Sequence, residues 1–425
     1  MTEIQSEHEF DVLVIGGGPA GSTVASLLRE AGWSVAILEK ERFPRFHIGE
    51  SLLPCNMPLF ERLGVMDKLR EIGVVKAGVD FTLPHEDRYA LLDFSRATEP
   101  TPPTAFQVRR SQFDHILLDN AASKGAHVFS GVRVTSVALN ANQPARITAK
   151  AKNGESNTWT AGFLVDASGR DTLLGRLLGL KDRHPTHKSA AIYSHFEGVP
   201  RRQGHEGGNI SLYWFEHGWI WMIPLDGGIM SIGAVAQPSY FQNRDESSEQ
   251  ILLKSLALSP PAFNRLGNAR MVMPASATGN YSYMCRSMYG NGYLMVGDAF
   301  AFVDPVFSSG VYLAMQSAVS GSEAIDAWLR DPRKGRALLR RHEKLVRRAI
   351  RNYTWFIRRI NKPALQRLFM GPRNARRIEA AVLSTLAGDV YGNKRLFVPL
   401  LLFKMIYLMY NFFTFKSAPH AKERH

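Results

Sequence analysis

The chain has 425 residues, 45% of them hydrophobic and 21% charged, a balance that fits a folded enzyme of two or three lobes and excludes a disordered or fibrous protein. Its two cysteines, Cys55 and Cys285, form no C-x-x-C pair and no Cys/His spacing suited to zinc, so neither a disulfide framework nor a metal is expected. The net charge is +14, with Arg-Arg pairs at 340/341, 347/348, 358/359 and 376/377, yet no interleaved aromatic module accompanies them and nucleic acid is not an expected partner.

Residues 1–10 are acidic and polar and lack the basic and apolar regions of a secretory signal, so a cytoplasmic location is expected. Residues 11–15 form an apolar, β-branched run, followed by Gly16-Gly17-Gly18-Pro19-Ala20-Gly21. Residues 22–31 read as a helix ending at Gly32, and a second strand over 34–38 runs into Glu39. This βαβ unit carries G-x-G-x-x-G at its first turn. Gly16 permits the tight turn, Gly18 lets a pyrophosphate approach the backbone, and Gly21 allows close helix–strand packing. The N-terminal helical turn that includes Ala20 turns its N–H groups to the phosphates, and Glu39 is placed to accept hydrogen bonds from an adenosine ribose. The plain alternative is a glycine-rich packing turn.

A Pro-bounded loop over 43–54 contains Gly49-Glu50-Ser51, and Lys76 precedes Ala77-Gly78-Val79. An extended stretch and a helix span 105–125, with strands over 128–137 and 163–166. From 189 to 278 short alternating segments at 210–215, 219–223 and 230–236 are punctuated by Gly and Pro, which predicts an antiparallel sheet. Residues 292–296 return to a buried strand that ends in Gly297-Asp298, and a long helix begins near Gly310. The remainder, 332–425, reads as mainly helical. Within it, 396–415 is almost continuously apolar and approaches transmembrane length, but Pro399 and Lys404 favour a soluble or interfacial helix. The basic helices before it suit anionic lipid, the phosphate of a carrier arm, or solvent alone.

Several segments resemble one family. Gly297-Asp298-Ala299 resembles the G-D motif of FAD-dependent aromatic hydroxylases, and Arg110 opens a segment, Arg110-Ser111-Gln112-Phe113-Asp114, that matches their R-x-x-F-D. Gly49-Glu50-Ser51 with Pro54 is similar to the G-E-S-x-x-P loop of flavin-dependent halogenases. Trp219, Trp221, Ile223 and Pro224 match W-x-W-x-I-P, Phe302, Pro305, Ser308 and Gly310 match F-x-x-P-x-x-S-x-G, and Lys76 falls in the segment that holds the family's lysine. From about residue 10 to 330 the chain resembles the flavin-dependent halogenases, nearer to those acting on phenols and carrier-bound pyrroles than to tryptophan halogenases.

The resemblance implies an α/β fold. It comprises a Rossmann-like FAD-binding domain with a parallel sheet of the glutathione-reductase type (1–75, 104–185 and 280–330), an antiparallel substrate sheet (76–103 and 186–279) and a helical C-terminal region (331–425). Lys76, Trp219, Trp221 and Ser308 would be catalytic. FAD would be held by Gly16, Gly18, Ala20, Gly21, Glu39, Gly49, Ser51, Arg110, Asp298, Pro305, Ser309 and Gly310. Bulky tryptophans would keep organic substrates from the flavin while admitting chloride or bromide, and a buried lysine would hold the resulting hypohalous acid or form a haloamine. With no second G-x-G-x-x-G for a nicotinamide cofactor, reduced flavin would come from a separate flavin reductase. The acceptor would be an electron-rich aromatic or conjugated molecule, small or acyl-carrier-bound.

Residue by residue, plainer readings stand beside these. Trp219 and Trp221 share a strand face as core residues do, Lys76 suits an exposed turn, and Ser51, Ser308, Ser309 and Asp298 suit helix caps. His47, His85 and His217 read as loop or packing residues. Two other functions remain open: a flavin monooxygenase or geranylgeranyl-reductase-like oxidoreductase, and a non-catalytic membrane-associated flavin-binding protein. The basic, apolar C-terminus leaves open a cytoplasmic location peripheral to the inner face of the membrane.

Overall fold

A computed structural model describes residues 7–86, 88–140, 143–242, 245–371 and 375–416, so the first six residues of the polar opening lie outside the description. The strand Glu7–Ile15 is the centre of the first sheet because Val12, Leu13 and Val14 are apolar on both faces and fully buried. It pairs in parallel with Ser156–Asp166 on one side and Val35–Glu39 on the other. His127–Ser130 and Tyr293–Met295 extend the parallel order outward. The helix Pro19–Glu30 covers this sheet and packs on Gly310–Arg330. It starts three residues earlier than its apolar pattern indicates, because Pro19 is pre-set for the first helical position.

Two strand expectations change in detail. The run over 128–137 is two strands: Gly131, at φ +77°, breaks it into His127–Ser130, which joins the parallel sheet, and Val132–Ala138, which turns into an antiparallel pair with Ala145–Ala151. The short strand at 163–166 is the end of an eleven-residue strand whose first half pairs with Ala145–Ala151.

Among the described residues the second sheet has nine strands and is antiparallel except where Gly78–Thr82 meets Ile210–Phe215. Gly218–Pro224 lies between Ile210–Phe215 and Ile229–Ala236, and all seven of its residues are buried. Strand alternation divides them. Ile220 and Met222 pack with the helices Ser248–Ala257 and Pro260–Leu266, while Trp219, Trp221 and Ile223 face the other way, into the cluster that contains Val306 and Phe307. The strands Lys181–Glu197 and Ser276–Cys285 run through residues 185 and 280, and Ala301–Phe302 pairs with this second sheet. The two lobes therefore share strands instead of meeting at a linker.

The C-terminal third is helical. Asp331 caps Pro332–Ile357 by accepting hydrogen bonds from the Arg333 and Lys334 N–H groups. Gly335 lets this helix close on its predecessor, since a Cβ there would lie 2.2 Å from the Trp328 Cα. The helices Pro363–Met370, Arg376–Leu386 and Phe397–Lys416 follow. Phe369 meets Phe81 at 5.2 Å between ring centroids and Phe356 meets Phe307 at 6.1 Å, so these helices roof the antiparallel sheet and the loop before Gly310.

Candidate active site

Between the two sheets lies a cavity of about 700 Å³. Its nucleotide end is built by glycines. Gly16 sits at φ +100° with no room for a side chain, since a Cβ would meet the Ala167 carbonyl oxygen at 2.5 Å, and a Cβ on Gly21 would lie 1.9 Å from the Gly16 oxygen. Gly18 is open, its nearest neighbour being Arg45 Nη2 at 3.6 Å from an added Cβ. The buried Glu39 accepts hydrogen bonds from the Gly17 N–H (2.7 Å) and the Glu41 N–H (2.8 Å), which fixes its carboxylate at the cavity wall. Ala20 also lines the cavity, in the first turn of its helix.

Arg110 is buried at the start of the helix Arg110–Ser123 and grips Asp114 through Nε (2.7 Å) and Nη2 (3.0 Å). Its Nη1 donates to the Ile48 carbonyl at 3.0 Å and so holds the loop that carries Gly49 against the cavity. Asp114 also pairs with Arg45 at 3.2 Å, and Arg45 in turn reaches Glu41 at 3.4 Å, which ties the two guanidinium groups into one network at this wall. Asp298 faces the cavity from the turn after Tyr293–Met295; desolvation pushes its carboxyl up to about 6, against the opposing pull of Arg170 and Arg110.

Pro305, Ser308 and Gly310 complete this wall. Ser308 is held at φ +56°, a conformation rare for serine, while Asp304 accepts from the Val306 N–H (3.2 Å) and the Ser189 hydroxyl (2.8 Å) to brace the loop. Neither serine caps Gly310–Arg330 through its side chain, contrary to the plain reading. Ser309 is buried with its Oγ unpartnered among the described residues, and it is not among the residues that line the cavity.

Trp219 and Trp221 line the same cavity, their ring centroids 5.8 Å apart and the planes inclined at 47°. The Trp221 Nε1 donates to the Ser231 hydroxyl at 3.2 Å. The indole lies across the neighbouring strand because residue 233 is glycine; a Cβ there would come 2.3 Å from the ring.

Lys76 ends the strand Val74–Lys76 and is 1% exposed, not on an exposed turn. Its Nζ donates to the Ser51 Oγ (2.9 Å) and the Leu52 carbonyl (3.0 Å) and lies 5.4 Å above the Phe94 ring. Burial lowers its pKa to about 7. Ser51 lines the cavity whereas Lys76 is not among the residues that do, so the serine stands between the two. Ser51 therefore serves as an acceptor for the lysine and not as a helix cap.

Some wall residues escaped sequence reasoning. Arg45 lies in the same loop as Gly49 and was legible as a cation beside a phosphate cradle. Glu50 stands inside the G-E-S motif; it is buried, and its Oε2 lies 3.2 Å from His195 Nε2 on the antiparallel sheet. Asp166 accepts from the Ser168 N–H (2.9 Å) and the Leu174 N–H (2.7 Å), shaping the turn against which Gly16 packs. His47, read as a loop or packing residue, is a loop residue at the cavity wall, while His217 packs on Tyr240 at 4.6 Å. Among the described residues no group of three metal-ligating side chains gathers.

A glycine cradle, a fixed acidic residue and two arginines suit a flavin dinucleotide. Residues 9–354 match the family model described as an FAD binding domain. The chain is 34% identical over 415 residues to a 1H-pyrrole-2-carbonyl-[peptidyl-carrier protein] chlorinase of Pseudomonas fluorescens, covering 92% of each. Its structure is similar to that of a flavoprotein/dehydrogenase from Cytophaga hutchinsonii (TM-score 0.86, 28% identity, 96% and 100% of the two chains). It is also similar to the myxobacterial chondrochloren halogenase CndH (TM-score 0.79, 29% identity, 95% and 97%). The fold and site thus define an FAD-dependent enzyme of the oxidoreductase type. The chain belongs to the flavin-dependent halogenases, with FAD as cofactor and a halide ion as co-substrate.

Proposed function

We propose that this enzyme halogenates an electron-rich aromatic acyl group presented by a carrier protein, using reduced FAD delivered by a separate flavin reductase, O2, and chloride or bromide. Support for the carrier comes from the 92% mutual coverage with the pyrrolyl-carrier chlorinase. We assign residues 1–75, 104–185 and 280–330 to FAD binding, 76–103 and 186–279 to the acceptor side, and 331–425 to a helical region. We further place the enzyme in the cytoplasm, its basic C-terminal region keeping it at the inner face of the membrane.

FAD, when bound and reduced, supplies with O2 the oxidising equivalents that turn halide into hypohalous acid. The protein's own part is separation and delivery. Gly16, Gly18, Ala20, Gly21, Glu39, Gly49, Arg110 and Asp298 hold the cofactor. Pro305, Ser308, Ser309 and Gly310 offer a helix N-terminus to the halide. Trp219 and Trp221 exclude an aromatic acceptor from the cavity by bulk. Lys76 receives hypohalous acid: its ammonium form polarises the O–X bond, and its amine form, well populated near pH 7, accepts halogen as a haloamine. Ser51 and the Leu52 carbonyl accept two hydrogen bonds from the Lys76 Nζ and hold it on the far side of the serine from the cavity. From hypohalous acid the C–X bond forms as O–X breaks and the ring proton leaves with hydroxide as water; from the haloamine, formed with loss of water, the C–X bond forms as N–X breaks and the ring proton returns to the amine.

The observation that carries this reading is a dry lysine one serine away from a cavity walled by two tryptophans. The test supplies reduced FAD, O2 and bromide or chloride with pyrrolyl-carrier protein, and traps free hypohalite with a reactive phenol. Halogenated acyl-carrier that disappears in Lys76→Ala is expected. Product that is hydroxylated and never halogenated, whatever the halide, overturns the reading in favour of a monooxygenase.

A further inference from the structure

Charge divides this chain sharply: residues 332–425 carry 22 Lys and Arg against four Asp and Glu, while residues 1–331 carry 30 against 34. Among the described residues the last helix of the basic part is Phe397–Lys416, and it packs on the protein through the side that carries Phe403 and Tyr407. Phe403 and Tyr407 are buried there, 6.0 and 5.3 Å from Trp355 between ring centroids, and Phe403 stacks on Phe356 at 5.9 Å. The Arg359 guanidinium covers Trp355 at 4.6 Å and Tyr407 at 5.5 Å.

The other side of the helix is apolar and open. Phe397, Val398, Leu401, Met405, Leu408 and Met409 recur at helical spacing along about 18 Å, each 48–65% exposed. A continuous stripe of large apolar side chains on a surface marks an interaction site. Cations border it: Lys394 and Arg395 are exposed at its N-terminal end, and Lys404 sits half-buried on its flank, 5.4 Å above Trp355. The nearby acids, Glu379 and Asp389, are engaged with Arg96 and Asn393.

We propose that the helix Phe397–Lys416 lies in the headgroup–acyl boundary of an anionic lipid bilayer, with its apolar stripe inserted and its basic rim on the headgroups. An apolar centre with cations at the edge is the pattern of an interfacial helix. By length and composition the segment 394–412 suffices to cross a membrane, but its Phe403–Tyr407 side is committed to protein, so lipid cannot surround it. A second copy of the same basic rim would meet it with like charge. An acidic protein partner would need cations at the centre of the contact, where this helix offers only hydrocarbon. The proposal deepens the membrane placement given above and is independent of the halogenase chemistry.

The test is cosedimentation of full-length, FAD-loaded protein with vesicles of phosphatidylglycerol and phosphatidylcholine, and with vesicles of phosphatidylcholine alone. Binding to the anionic vesicles, weakened by salt, is expected, with at least about a tenfold loss in Leu401→Glu/Leu408→Glu. Lys394→Glu/Arg395→Glu should lose binding as well while keeping its flavin absorbance; it carries the test if the first variant misfolds. No binding to anionic vesicles overturns the proposal, as does equal binding to neutral ones. So does a light-scattering dimer dissolved by these substitutions, or capture of acidic carrier protein without vesicle binding. Halogenation assayed in parallel without vesicles reports separately on the chemistry.

Discussion

The flavin cavity and the Lys76 niche are neighbours separated by Ser51, and they are built on opposite principles. The cavity is roomy and lined largely by apolar side chains, with Arg45, Arg110 and the first turn of the helix Pro19–Glu30 at one edge. The niche is dry, closed by Phe94, and offers its cation only a hydroxyl and a carbonyl. Water would disarm the niche, since a hydrated lysine keeps its proton far above neutrality. On the function proposed above, the oxidant is made in the open cavity and delivered from the closed niche one serine away.

Replacing Lys76 by Met is the most severe way to break this contrast. Halogenation of the acceptor should fall by about 10²- to 10⁴-fold while bound FAD is unchanged, measured as halogenated product per flavin turnover. Trp219→Ala should cost about 3–5 kcal/mol in stability, read from denaturant unfolding, and should raise the hydroxylated fraction of a phenol probe by opening the cavity. Gly233→Ala leaves both tryptophans in place but crowds the Trp221 ring, so a smaller loss of about 1–3 kcal/mol is expected, with a matching drop in Tm.

Protonation sharpens the comparison further. The Lys76 pKa is depressed, so between about 7 and its ordinary value near 10.5 the unfolded chain binds a proton that the folded chain does not. Lys76 therefore makes stability rise with pH across that window, by at most about 1.4 kcal/mol per pH unit, a rise that Lys76→Met should lack in paired unfolding titrations. The smallest effect is reserved for Ser51→Ala. Removing one acceptor from the ammonium should move the lysine-dependent limb of the rate profile to lower pH; an unmoved limb would show that the hydroxyl does not tune the amine.

The parts legible from sequence are those whose physics is local. The βαβ fingerprint could be read because Gly16 and Gly21 answer to backbone geometry within a few residues, and the tryptophan face because strand alternation alone puts Trp219 and Trp221 on one side. Gly131 was missed as a strand break, since an isolated glycine in a β pattern differs little from a bulge. The contact between Glu50 and His195 had no signal at all: the partners lie 145 residues apart.

By itself the sequence determined the glycine turn of the βαβ unit, the antiparallel tryptophan strand and the uneven charge of the chain, because turn strain, side-chain alternation and net charge are properties of short segments or of composition. Tertiary structure alone decided that Lys76 is dry and titrates near neutrality, that Ser51 and not a helix end receives its proton, and that the last helix leaves its apolar side open. Desolvation and exposure are sums over neighbours drawn from distant parts of the chain, and no local pattern contains them.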